Sequence, residues 1–122
     1  MTVDIATETL SEHAVVIAPA GELDLYVAPE LKQHLLGAIA AGARLVVVDL
    51  SQVTFVDSTT LGVLIGGVRR LRAGDGRLSV VISDPSILRT FELSGLDRVF
   101  AIHSTREQAV AELDDGVGVA AA

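Results

Sequence analysis

The chain has 122 residues and a formal charge of −7; half of its residues are apolar and only 3% are aromatic. That is room for one domain with a core of Val, Leu, Ile and Ala, and the acidity argues against nucleic acid and anionic membranes as partners, because both are held by Lys and Arg. There is no cysteine, so disulfides, thiol catalysis and thiolate metal sites drop out together.

The N-terminus, MTVDIATETLSEHAVV, carries early acids and no Lys or Arg before an apolar block, unlike a signal peptide. No apolar run reaches the roughly 20 residues of a membrane span, and the expected compartment is the cytoplasm. VDIATET (Val3–Thr9) reads as an edge strand, SEH as a turn, and AVVIAPAG (Ala14–Gly21) as the second strand of an antiparallel hairpin. GELDLYVA follows as a loop. Pro29 stands where the first helical position is expected, with Leu31, Leu35 and Ile39 at helical spacing and Gly42 at the exit. ARLVVVDL (Ala43–Leu50) is a continuous β-branched run, the pattern of a strand buried on both faces.

A short turn then leads into TFVDSTTLGVLIGG (Thr54–Gly67), read as a helix continuing to Ala73 and ended by AGDG. RLSVVIS (Arg77–Ser83) is a further buried strand. Asp84, Pro85 and Gly95 bracket a third helix, RVFAI forms a last short strand, and a capping box from Ser104 to Glu107 opens a fourth helix. The expected fold is α/β in the order β-β-α-β-α-β-α-β-α: a mixed, mostly parallel sheet of 4–5 strands with four helices, over residues 1–113. The low-complexity segment 114–122 is expected to be a flexible tail.

The helix after Thr54 raises a question, because it contains Gly62, Gly66 and Gly67, and each glycine costs about 1 kcal/mol relative to alanine. Projected at 100° per residue, Leu61, Leu64, Ile65, Val68 and Leu71 form the core-facing stripe. Thr59, Gly62, Val63, Gly66 and Arg70 fall on the opposite face, and Gly67 to one side. The outward set makes a smooth strip that another backbone can approach, a small docking face. At the helix mouth either Ser58 or Asp57 serves as N-cap. A serine here also lies over the carboxyl ends of the strands, where open α/β sheets place functional groups. The GELDLY loop brings Asp24 to the same end, so the hydroxyl sits in a negative field, a setting suited to a switch rather than to anion binding.

GELD (Gly21–Asp24), LVVVDLS (Leu45–Ser51), FVDSTTLGVLIG (Phe55–Gly66) and LSGL (Leu93–Leu96) together resemble the STAS domain family, and most of all its single-domain bacterial anti-sigma factor antagonists. The resemblance spans nearly all of the chain except the tail. It implies that Ser58 is phosphorylated by an anti-sigma factor that is itself a serine kinase, with Asp24, Asp57 and Thr59 as its surroundings and Thr59 also a possible acceptor. The partner face would comprise Thr59, Thr60, Gly62, Val63, Gly66 and Arg70. A PP2C-type phosphatase would reset the serine, and neither cofactor nor metal is implied. The family usually has glycine where this chain has Thr60; that residue projects to the helix flank and is expected to alter contact detail without loss of function.

Two other readings compete. A hydrolase would combine Ser58 and an aspartate with His13, His34 or His103, but the GxSxG elbow is absent and each histidine reads as a surface residue, so no enzyme is expected. Within the family, the alternative is a scaffold subunit of a stressosome or of a lipid-transport ABC ATPase. The intact Asp57-Ser58-Thr59 segment and the lack of a fused domain favour the antagonist.

Overall fold

A computed structural model describes residues 4–113. The elements in chain order are β1 (Ile5–Thr9), β2 (Ala14–Leu23), α1 (Ala28–Ala40), β3 (Leu45–Asp49), β4 (Gln52–Val56), α2 (Ser58–Ala73), β5 (Arg77–Val81), α3 (Pro85–Leu93), a 3-10 turn (Leu96–Arg98), β6 (Ala101–His103) and α4 (Arg106–Leu113). The tail expected at 114–122, and Val3 of the expected first strand, lie outside the described residues.

The α/β architecture and the four helices agree with the sequence reading. β1 and β2 form the antiparallel hairpin, with Ile5 opposite Pro19 and Thr9 opposite Val15. β2, β3, β5 and β6 are parallel neighbours in that order. Alternation along the strands divides the side chains between two layers. Val15, Ile17, Val46, Val48, Leu78 and Val80 join one core with α1, α2 and α3, whereas Ala14, Val16, Leu45, Val47 and Val81 meet Ala109 of α4 on the other face. Phe91 and Phe100 meet edge to face in the larger core, ring centroids 5.7 Å apart. No described helix is long and apolar enough to cross a membrane.

Four boundaries differ from expectation. Residues 52–56, read as turn and helix start, form a sixth strand, β4, because they complete a parallel ladder with the upper half of β2. β2 itself runs through Pro19 to Leu23, so the first three residues of GELD are strand rather than loop. Its register shifts between Gly21 and Glu22, and Gly21 sits at φ 95°, a conformation that favours glycine beside a bulge. α1 begins one residue before Pro29. At α4 the cap is one residue later than expected: Thr105 Oγ1 accepts from Gln108 N at 3.2 Å, and Gln108 Oε1 accepts from the Ser104 hydroxyl at 3.0 Å.

Candidate functional site at the mouth of α2

In the parallel β2–β4 ladder Leu23 stands opposite Val56. Both strands therefore leave the sheet at the same level, and the next residues, Asp24 and Asp57, emerge side by side. Asp57 has extended backbone angles and caps α2: its Oδ1 accepts from Thr60 N at 3.0 Å, and its own N–H donates to Leu23 O at 3.2 Å. Asp24 acts likewise on the other turn, its Oδ1 accepting from Tyr26 N at 3.0 Å and Val27 N at 3.2 Å. Both carboxylates thus serve as main-chain acceptors at chain turns, where side-chain oxygens replace missing backbone partners.

Ser58 is the first helical residue, not the cap. It is exposed, and among the described residues its hydroxyl makes no protein hydrogen bond. The Asp57 carboxylate takes the third helical N–H, so the N–H groups of Ser58 and Thr59 keep no intrahelical acceptor. The first turn of α2 contains no acid, so within the helix and its cap the Asp57 carboxylate is the one negative group facing the positive end of the dipole.

Thr60 corrects the sequence reading. Expected on a partner face, it is not at the surface at all: it is fully buried, and its hydroxyl donates to Leu23 O at 2.9 Å. One turn into a helix that starts directly above β2, a residue on the flank points down at the strand end. The effect is to tie α2 to the GELD segment.

The rest of the outward strip does converge. Thr59, Gly62, Val63, Gly66 and Arg70 line one side of a groove of about 360 Å³, with Lys32, Leu35 and Leu36 of α1 on the other. An added Cβ would meet nothing within 4 Å at Gly62 or Gly66, so both are open floor. At Gly67 it would come within 3.3 Å of Leu78 Cδ1 and 3.5 Å of Leu35 Cδ1, so that glycine serves close packing of α2 on β5 and α1. Gly62 and Gly66 carry no such packing reason.

Sequence reasoning missed the α1 wall, because projecting α2 alone does not show which helix lies beside it. Leu36, apolar but outside the Leu31/Leu35/Ile39 stripe, was the available signal. Leu25 and Tyr26 were also missed; they are 55% and 83% exposed in the turn that Asp24 fixes, at the Ser58 end of the sheet. A larger hollow of about 430 Å³, bordered by His13 and Arg44, lies at the opposite end, where β2 and β3 begin.

None of the histidine contacts among the described residues involves Ser58. His13 Nδ1 lies 3.3 Å from Gly42 O, His34 Nδ1 lies 3.4 Å from the Thr7 hydroxyl, and His103 Nε2 lies 3.4 Å from Glu112 Oε2.

The model of the STAS domain family matches residues 4–109. The chain is 32% identical over 107 residues, 88% of its length and 98% of the relative's, to an anti-sigma-B factor antagonist of Staphylococcus aureus. Its fold superposes on the anti-sigma factor antagonist SpoIIAA in its unphosphorylated form with a TM-score of 0.81 at 25% identity, covering 93% of this chain and 99% of that one. The Bacillus cell fate determinant SpoIIAA in the phosphorylated form has the same fold, with a TM-score of 0.71 at 24% identity, covering 89% and 98%.

Proposed function

The chain belongs to the STAS domain family, and from that premise we propose that it is an anti-sigma factor antagonist switched by phosphorylation of Ser58. In the bare form it binds an anti-sigma factor serine kinase and so frees a sigma factor. The partner covers the α2 mouth and the strip of Thr59, Gly62, Val63, Gly66 and Arg70, with Leu25 and Tyr26 adding apolar contact area beside them. Transfer of a phosphoryl group to Ser58 ends the contact, and a PP2C-type phosphatase restores it. The observation that carries this reading is an unengaged, exposed hydroxyl at the positive end of α2, opening onto an uncovered groove along the same helix.

Two effects compete when Ser58 is modified. The phosphate adds roughly −1.5 to −2 charges and three acceptor oxygens. In the free domain the helix N-terminus stabilises that charge by about 0.3–1 kcal/mol, up to ~2 when partly buried, and the open N–H groups of Ser58 and Thr59 favour it as well. In the complex the same dianion is enclosed beside Asp24 and Asp57, and a charge left unpaired at an interface costs about 2–5 kcal/mol. The penalty exceeds the gain, so binding is lost while the fold is kept.

The test is to incubate the chain with its anti-sigma factor kinase and ATP and to locate the phosphate by mass spectrometry. The expected result is modification at Ser58, with Ser58→Ala unmodified yet still bound. Phosphate at other positions only, or an unfolded Ser58→Ala protein, would contradict the proposal.

A further inference from the structure

We infer that the groove between α1 and α2 seats an acidic helix of the anti-sigma factor, read by Lys32 and Arg70; this rests on the antagonist function proposed above. The walls of the groove are apolar, from Leu35, Leu36 and Val63, and its floor is lowered at Gly62 and Gly66. Lys32 and Arg70 are its two charges. Both are exposed, and among the described residues neither is paired with a carboxylate.

The imbalance matters in a chain with 16 acids against nine basic residues. Acids outnumber cations over the chain, yet α2 contains no acid from Ser58 to Ala73. A local basic site on an acidic molecule selects an acidic partner surface and rejects a basic one. The occupant is helical for two reasons. Beyond the open N–H groups of the first turn of α2, both walls are helix faces with their backbone groups paired along the helix, so they cannot extend a strand ladder. Two packed helices also present a groove into which the ridges of a third can settle. From Thr59 to Arg70 there are eleven rises of about 1.5 Å, about 16 Å in all, or about three turns of occupant helix. An acidic helix in this place also accounts for the direction of the switch, since phosphate at the groove mouth repels it.

The experiment is calorimetric titration of the full chain into its anti-sigma factor kinase at about 0.05 and about 0.3 M salt, where screening differs strongly. Wild type, Lys32→Glu/Arg70→Glu and Ser58→Asp are compared, with melting curves confirming that all three fold. The double variant should bind roughly tenfold or more weakly at low salt. Raising the salt should weaken wild type, and the gap between the two should shrink. If Ser58→Asp abolishes binding but the double variant matches wild type within about twofold, the groove assignment is wrong and the phosphoswitch stands. If wild type fails to bind, or Ser58→Asp binds as tightly as wild type, the antagonist reading fails and takes this inference with it.

Discussion

The hydroxyl of Thr60 donates to the main-chain carbonyl of Leu23 across 37 residues of sequence, at 2.9 Å and with Thr60 fully buried. The same carbonyl also accepts the Asp57 N–H. The start of α2 is therefore anchored to the end of β2 by two hydrogen bonds to one oxygen, and this anchor fixes where Ser58 stands relative to Asp24.

Thr60→Val keeps the shape of the side chain and removes the donor. Leu23 O retains the Asp57 N–H, so the loss should fall near the net value of one buried hydrogen bond, about 1 kcal/mol. Urea denaturation should show a lower midpoint with an unchanged slope. An unchanged midpoint would mean that the bond does not anchor the helix.

Gly66→Ala separates stability from binding. The added methyl meets open space, so the variant should be more stable by up to about 1 kcal/mol. The partner's close approach should suffer, and the dissociation constant should rise severalfold. Gly67→Ala is the control: its Cβ meets Leu78 Cδ1 at 3.3 Å, and crowding should cancel much of the helix-propensity gain. Equal partner affinity for Gly66→Ala and wild type would remove Gly66 from the interface.

Much of this helix was legible in the sequence. Its apolar period set the inward stripe and left Gly62, Val63 and Gly66 outward, and those residues do line the groove. β4 was not legible, because five residues followed at once by a helix leave too short a window for a period of two; only pairing with β2 reveals it. Thr60 was placed on the helix flank and counted with the partner face for a related reason: angular projection knows nothing of the strand end beneath the first turn. Lys32 entered the site through the packing of α1 on α2, which no local pattern encodes.

Asp24→Asn preserves the side-chain oxygen that accepts from Tyr26 N and Val27 N while removing the charge. If Asp24 acts by holding this turn, the Asn variant should keep both its melting temperature and its rate of Ser58 phosphorylation. Asp24→Ala should lose about 0.5–2 kcal/mol, the usual worth of a capping acceptor. A phosphorylation rate that collapses in a stable Asp24→Asn protein would assign the charge itself to the kinase reaction.

Arg106 joins α4 to the sheet. Its Nε donates to Asp49 Oδ2 at 3.0 Å, and the Asp49 side chain is only 8% exposed. Arg106→Leu leaves that carboxylate without its cation. Arg106 is partly in water, so the loss should be roughly 1–3 kcal/mol, below the 3–5 of a fully enclosed pair. Thermal melting checks this, and a variant as stable as wild type would show that water replaces the guanidinium.

The central claim is that a phosphate on Ser58 turns an attractive surface into a repulsive one without disturbing the fold. The direct measurement is the dissociation constant of the anti-sigma factor for stoichiometrically phosphorylated and for bare protein, taken by calorimetry in the same buffer. A penalty of at least 2 kcal/mol predicts binding weaker by about 30-fold or more, with both forms giving the same circular dichroism spectrum. Equal dissociation constants for the two forms would contradict it.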